Sequence, residues 1–261
     1  MDDRTLLVTG ATGVLGREVL RRAHETGLTV RALTRRTTPP GVPGAGATDW
    51  HTGDLLADTG LDAALRGVDT VIHCASDPRH PKDDLPAFRH LLDAARRAGV
   101  RHLVNISIVG IDKVPTAYFR AKLEVEQLLA ESGLGWTNLR ATQFPVFLEG
   151  MLTALAKLPV LPMLADTPCQ PVHPAEVADR LVTLALGQPA GHAPDFGGPE
   201  IHPATELAAS WLRATHPRRH RVLPLRLPGR LATALRQGHL TTPAHPDGTA
   251  TWSDFLTTRR T

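Results

Sequence analysis

The chain has 261 residues, 42% of them hydrophobic, with a formal net charge of +3 and a pI near 9.2. That apolar content supports a sizeable core, and a small excess of arginine spread along the chain is not the basic footprint of a nucleic-acid binder. Two cysteines, Cys74 and Cys169, without metal-ligand spacing exclude a disulfide scaffold and a cysteine zinc site, and no apolar run is long enough to span a bilayer.

The first predicted strand, Thr5–Thr9, runs into Gly10-Ala11-Thr12-Gly13-Val14-Leu15-Gly16 and then a helix over Gly13–Thr26 that Gly27 ends. Strand, Gly-x-x-Gly-x-x-Gly and helix in succession make a dinucleotide diphosphate site. Gly10 permits the tight turn, Gly13 lets backbone approach the diphosphate, and Gly16 lets the helix sit close on the strand. The helix N-terminus offers unpaired N–H groups to the phosphates.

Alternation continues. Strands are predicted at Thr29–Leu33, Thr48–Gly53, Thr70–Cys74, His102–Ile106 and Trp136–Arg140, with a loop over Pro39–Gly46. Helices are predicted at Leu61–Leu65, Leu85–Ala98 and Tyr118–Glu131. This pattern predicts an α/β fold, a Rossmann-type doubly wound parallel sheet. The second half differs. Pro159, Pro162, Pro168, Pro171 and Pro174 keep Leu158–Pro174 out of a central strand or helix interior. Helices are expected at Ala175–Leu186, Ala204–Thr215, Gly229–Arg236 and Trp252–Thr258. The expected division is a dinucleotide-binding domain over 1–145 and a smaller substrate lobe over 146–261, partly interleaved with the sheet, at the strands' carboxyl edge. Met1-Asp2-Asp3-Arg4 leads straight into the first strand with no signal peptide, so the expected setting is cytoplasmic and the state a monomer or homodimer.

Chemistry concentrates on few residues. Tyr118 is the one tyrosine, and Lys122 follows one helical turn later on the same face. An ammonium beside a phenol favours phenolate, lowers its pKa and makes a proton donor. At the end of the second strand, where an NAD enzyme places an acid, stand Thr34, Arg35 and Arg36. Two guanidinium groups suit a 2′-phosphate, so NADP(H) is the expected cofactor and NAD(H) the lesser alternative. Phe144, Phe147, Met151, Leu155 and Met163 are apolar candidates for a substrate wall; the first three recur at helical spacing, which fits core as well as pocket. Arg213, His216, Arg218, Arg219, His220 and Arg221 form a basic run without interleaved aromatics, read as a solvated turn before the apolar Val222–Leu225.

The chain resembles atypical short-chain dehydrogenases/reductases of the NmrA-like, NAD(P)H-binding branch. The resemblance rests on the glycine loop, Val30–Arg36, Gly53-Asp54-Leu55, Ile72–Ser76, Ser107–Asp112, Tyr118–Lys122, Leu139–Phe144, Pro171–Ala178 and Gly197–Glu200. It implies that Asp54, with Leu55 beside it, meets the adenine, and that Cys74, Ala75 and Ser76 line the riboses. It also implies that Lys122 holds the nicotinamide ribose and that Thr142 and Gln143 flank the nicotinamide. Asp54 alone could be a turn residue or a helix cap, its spacing from the glycine loop favours the cofactor role, and Cys74 is expected near the cofactor as packing rather than as a nucleophile. The expected function is an NADP-dependent oxidoreductase with Tyr118, Lys122 and Ser107 catalytic; the resemblance says little of the substrate, and the apolar candidates, as a pocket wall, suit a small apolar carbonyl or quinone-like compound. The alternatives are a non-catalytic dinucleotide sensor and a non-redox epimerase, dehydratase or cyclase. One departure stands out: related enzymes carry Ser-Ser after the fifth strand, and here the pair is Ser107-Ile108.

Overall fold

Residues 4–35, 45–215 and 221–259 are described by the computed structural model of the protein. Arg36, most of the predicted 39–46 loop and residues 216–220 of the basic run lie outside them.

The first half follows the predicted alternation: β1 (Thr5–Thr9), α1 (Val14–Glu25), β2 (Thr29–Thr34), β3 (Asp49–Thr52), α2 (Leu61–Leu65), β4 (Thr70–His73), α3 (Pro81–Ala98), β5 (His102–Ile108), α4 (Ala117–Ala130) and β6 (Gly135–Ala141). Helix α3 starts four residues before the expected Leu85, because Pro81 suits the first helical turn and Asp83 and Asp84 favour its positive end. The second half holds α5 (Pro145–Leu155), β7 (Leu161–Leu164), β8 (Pro168–Cys169), α6 (Pro174–Leu186), β9 (Gly191–His192), β10 (His202–Pro203), α7 (Ala204–Thr215), β11 (Val222–Leu225), α8 (Arg230–Arg236) and α9 (Trp252–Thr258). Helix α5 was not among the expected elements, although Phe144, Phe147 and Met151 carry its period.

The central sheet has seven strands in the order β3-β2-β1-β4-β5-β6-β9. Strand β1 pairs in parallel with β2 and β4, β2 with β3, β4 with β5, and β6 with β9. The order reverses at β1 and β4, and there the carboxyl ends of the strands open a crevice. The doubly wound α/β reading therefore holds. Leu6, Leu7 and Val8 of β1 are all buried, as a sheet covered on both faces requires. One face packs Leu7, Leu33, Val71 and Leu103 against Leu61 and Leu65 of α2, Phe88 and Leu91 of α3, and Val125 and Leu129 of α4. Helices α1 and α6 pack together on the other face.

The chain divides into two compact units that interleave along the sequence. The first comprises Met1–Ser107, Arg120–Leu139 and Pro174–Ala193; the second comprises Ile108–Phe119, Arg140–His173 and Pro194–Thr261. Segment 108–119 leaves the first unit and 174–193 returns to it, so the units are interleaved along the chain rather than parted at one boundary near 145. Within the second unit, β7 pairs in parallel with β11 and β8 antiparallel with β10. The proline-rich stretch thus enters only two-stranded sheets, where a missing N–H is tolerated. The core of this unit is Leu152, Leu161, Met163, Leu207, Trp211, Leu212, Trp252 and Leu256.

Candidate dinucleotide site

The loop after β1 is built for close approach. Gly10 has a φ of +67°, and a Cβ there would stand 2.6 Å from the Ala75 amide nitrogen and 2.7 Å from the Cys74 carbonyl carbon. Only glycine accepts both the left-handed turn and that proximity to the β4 exit. A Cβ on Gly16 would stand 2.2 Å from the Gly10 carbonyl oxygen and 2.7 Å from Ala11 Cα. The Gly13 amide donates to that same oxygen at 2.9 Å, closing the turn. Ala11, Leu15 and Gly16 face inward, while Thr12, Gly13 and Val14 are exposed. Gly13 caps α1 without a side-chain hydrogen bond, and the first turn of α1 holds no acidic residue. The opening N–H groups of a helix have no intrahelical partner, so this end fits a diphosphate.

Around the ends of β4 and β5 the side chains are dry. His73 is buried, its Nδ1 hydrogen-bonded with Thr9 Oγ1 at 2.8 Å, and its ring lies 4.9 Å from that of Phe88. Burial, reinforced by the Lys122 charge, lowers His73 to about 3, so the imidazole is neutral at physiological pH. Cys74 keeps part of its surface open, yet the surroundings of its sulfur push the thiol up to about 12, against the pull of Lys122. Cys169 is likewise raised, to about 11, by burial. Neither thiol forms thiolate readily. Iodoacetamide at pH 8 is expected to label neither in the native protein and both after denaturation; mass spectrometry reads the result, and rapid native labelling at Cys74 would contradict its role as packing.

Lys122 is 3% exposed, and its Nζ donates to the Ile106 carbonyl at 3.0 Å. Burial pushes its pKa below the ordinary lysine value, while Asp84, Glu126 and Cys74 push the other way. Tyr118 stands one turn earlier on α4, half-buried, its ring 5.8 Å from that of Phe119.

The remaining predicted contacts are placed as follows. Thr34 is buried at the end of β2, and Arg35 beyond it is exposed. Asp54 is first a turn residue: its Oδ1 accepts from the Leu56 and Ala57 amides at 2.8 and 3.3 Å. The Leu55 carbonyl is hydrogen-bonded to His90 Nδ1 at 2.8 Å, and its side chain joins the core. Ala75 is half-buried and Ser76 exposed; Ser76 Oγ donates to Asp84 Oδ2 at 2.6 Å, and the Asp77 amide donates to Asp84 Oδ1 at 3.1 Å. Asp84 thereby shapes the loop leaving β4, a role its sequence position does not announce.

Several expectations need correction. Ser107 is 2% exposed and its Oγ has no hydrogen-bond partner among the described residues. Strand alternation sets it on the face of Leu103 and Asn105, opposite Ile106 and Ile108. Met163 is 6% exposed within the core of the second unit, with Leu155 packed against it, so neither is a free pocket wall. Phe147 and Met151, by contrast, are exposed on α5, and Phe144 stacks on Phe147 with ring centroids 5.8 Å apart. Gln143 ties the second unit together, donating to the Leu240 carbonyl and accepting from the Gln170 amide at 2.9 Å. Thr142 is buried, its hydroxyl accepting from the Gly198 amide at 3.4 Å. The second unit also holds a cavity of about 430 Å³ lined by Asp166, Arg226, Leu227, Pro228 and Arg236. Arg226 pairs with Asp166 there at 2.7 Å, a charged lining that the sequence reading did not pick out.

Fold and glycine loop together define the class: a dinucleotide-binding protein built on a doubly wound parallel sheet. A family model described as NAD(P)H-binding matches residues 10–147, and the chain belongs to that family. It is 36% identical over 214 residues to (4-alkanoyl-5-oxo-2,5-dihydrofuran-3-yl)methyl phosphate reductase of Streptomyces griseus, covering 80% of this chain and 73% of that one. It is 35% identical over 133 residues to NAD(P)H azoreductase of Xenophilus azovorans, covering 51% of this chain and 46% of that one. In fold it is similar to the crystal structure of an NADPH-dependent quinone oxidoreductase from Escherichia coli complexed with NADPH, with a TM-score of 0.81, 21% identity, and coverage of 97% and 99%. No helix among the described residues is long and apolar enough to cross a membrane.

Proposed function

We propose that the protein is an NADPH-dependent reductase of a small, conjugated acceptor, a quinone-like or enone-type carbonyl compound. The observation that carries this reading is the buried Lys122, bonded to the β5 backbone and one turn from the sole tyrosine on α4. The named relatives act on acceptors of related electronic character, a butenolide, an azo compound and a quinone, and this supports the choice of substrate class.

The glycine loop from Gly10 to Gly16 would hold the diphosphate, with Asp54, Leu55, Cys74, Ala75 and Ser76 along the adenine and riboses and Lys122 on the nicotinamide ribose. The nicotinamide, when bound, supplies hydride. Tyr118 donates the proton that neutralises the developing oxyanion of the acceptor, and Lys122 lowers the phenol pKa for that transfer. Cys74 and His73, neutral and desolvated, keep the floor of the site dry. Thr142 and Gln143 are proposed to border the nicotinamide through their backbone, since both side chains serve the second unit. Phe147 and Met151, exposed on α5, with the half-buried Phe144 stacked on Phe147, offer an apolar surface for a flat acceptor. Ile108 stands where related enzymes carry the second serine, so the oxyanion lacks that hydroxyl donor, a loss worth about 10²–10³ in rate. Slow turnover is therefore expected even for a good acceptor.

NADPH is preferred over NADH in this reading because Arg35 is exposed at the end of β2, where an acid would repel a 2′-phosphate. A charged hydrogen bond contributes about 1.5–3 kcal/mol. Arg35→Ala is expected to weaken NADPH about 10- to 100-fold and to leave NADH unchanged, as read by calorimetry with both dinucleotides. Equal affinity of the wild type for the two would remove the preference from the reading.

The second reading is a dinucleotide-binding regulator without turnover, favoured by the inward placement of Ser107 beside Ile108. Stopped-flow measurement of NADPH oxidation with a naphthoquinone separates the two. Tight NADPH binding with no oxidation across a panel of quinones, enones and azo compounds would favour the regulator.

A further inference from the structure

Lys122 presents an electrostatic problem that its hydrogen bonding does not solve. An ammonium has three donors, and among the described residues Nζ has one hydrogen-bond acceptor, the Ile106 carbonyl at 3.0 Å. With 3% of the residue exposed, water does little to stabilise the charge, and an uncompensated ammonium in such surroundings sheds its proton. The groups that face it come from three elements. From β4 and the residue after it come His73 and Cys74, both neutral, the one lowered to about 3 and the other raised to about 12. From α3 comes Asp84, a part-exposed carboxylate whose two oxygens are engaged by Ser76 Oγ and the Asp77 amide. From α4 itself comes Glu126, one turn beyond Lys122 and on its face, only 3% exposed.

Glu126 is held in place. Asn138 Nδ2 on β6 donates to Glu126 Oε1 at 3.0 Å, and Asn105 Nδ2 on β5 donates to Asn138 Oδ1 at 2.7 Å. Asn105 and Asn138 are 0% and 1% exposed. An amide that donates to a carboxylate stabilises its charged form, and a ladder of two buried amides across adjacent strands fixes where that charge sits. Burying a carboxylate and two amides together is costly unless each is satisfied, yet Asn105 Oδ1 has no partner among the described residues. A ladder that served only to fill the core would be replaced at no loss by apolar side chains. We propose that Glu126, clamped by Asn138 and Asn105, is the positioning residue that supplies the countercharge to Lys122 and so sustains its action on Tyr118.

The inference rests on the reading that Lys122 serves Tyr118, but its test runs on the protein without dinucleotide. The chain has four lysines; Lys82, Lys113 and Lys157 are exposed and Lys122 alone is buried. In protein labelled with ¹³C and ¹⁵N at lysine, the side-chain resonances of Lys122 therefore titrate apart from the rest. Glu126→Gln, which keeps the shape and the oxygen that accepts from Asn138, is expected to lower the Lys122 midpoint by about one pH unit or more, a tenfold change in its acidity. Glu126→Asp, which keeps the charge, is expected to restore more than half of that shift. Because Tyr118 is the only tyrosine, its phenolate absorbance near 295 nm is a second site-specific readout, and its midpoint is expected to rise in Glu126→Gln. A Lys122 midpoint unchanged in Glu126→Gln overturns the proposal, whatever happens to melting temperature or turnover. If Glu126→Gln does not fold, Glu126→Ala decides: a Lys122 midpoint lowered by about one pH unit or more supports the countercharge, and an unshifted midpoint refutes it. Failure of the reductase reading shows elsewhere, as absent NADPH oxidation in the wild type with the lysine titration intact.

Discussion

Tyr118→Phe is expected to lower kcat by about 10²–10⁴, the usual contribution of a positioned general acid, and to leave NADPH affinity unchanged. The argument is one of geometry. The substitution removes one oxygen and keeps the ring beside Phe119, so packing of the second unit around α4's first turn should survive. The cofactor's proposed contacts lie on the glycine loop, at the β4 exit and on Lys122, and none of them is Tyr118. Steady-state rates with a naphthoquinone and calorimetry with NADPH, made on the same preparation, check both halves. Equal losses in kcat and in NADPH affinity would mean that the phenol shapes the cofactor site rather than donating a proton. A variant with undiminished kcat would move the proton source to solvent, which a quinone reduced to a stabilised hydroquinone anion tolerates better than a simple ketone. Comparing the loss on a quinone with that on an enone therefore reports the acceptor chemistry as well as the role of Tyr118.

Much of this was legible in the sequence because the informative contacts are local. The strand, the glycine loop and α1 lie within twenty-one consecutive residues, Thr5–Glu25, and each glycine has a neighbour-level reason to be there. The Tyr118–Lys122 spacing is likewise a property of one helix. What escaped was long-range. Gln143 looked like a nicotinamide neighbour because its sequence neighbours do, but its side chain reaches Leu240 and the Gln170 backbone. Met163 has the composition of a pocket wall, and only the packing of α7 and α9 makes it core. Asp54 could be read two ways, and the Asx turn to Leu56 and Ala57 is the one seen. Glu126, Asn138 and Asn105 come from α4, β6 and β5, and no local pattern connects them. Ser107 was open to doubt from strand alternation alone, and it lies buried on the face of Leu103 and Asn105.

The glycines separate what the fold needs from what the ligand needs, and the second large prediction follows from that difference. A methyl on Gly16 would meet the Gly10 carbonyl oxygen at 2.2 Å and Ala11 Cα at 2.7 Å. These are backbone atoms that no rotamer change can move, so α1 must retreat from the loop. Gly16→Ala should therefore cost about 1–3 kcal/mol of stability, the usual range for overpacking, and spoil the anion site at the same time. A methyl on Gly13 meets only the Gly10 oxygen, at 3.2 Å. The Gly13 backbone, at φ −73° and ψ 173°, is one that any residue adopts. The protein alone asks there only that the Gly10 carbonyl yield by a few tenths of an ångström, a far smaller demand than at Gly16, whereas a diphosphate seated on the helix end would meet the methyl directly. Gly13→Ala is accordingly expected to melt close to the wild type without ligand and to lose NADPH affinity by about tenfold or more, a penalty of about 1.4 kcal/mol upward. Gly16→Ala should lose both. Thermal melts of the two variants with and without NADPH resolve the four cases. If Gly13→Ala is stabilised by NADPH as strongly as the wild type, the diphosphate does not lie against that backbone. Placement of the cofactor on the first turn of α1 would then have to be abandoned, and with it the assignment of Arg35 to a 2′-phosphate, since both depend on the dinucleotide crossing the sheet at the β1–β4 crevice.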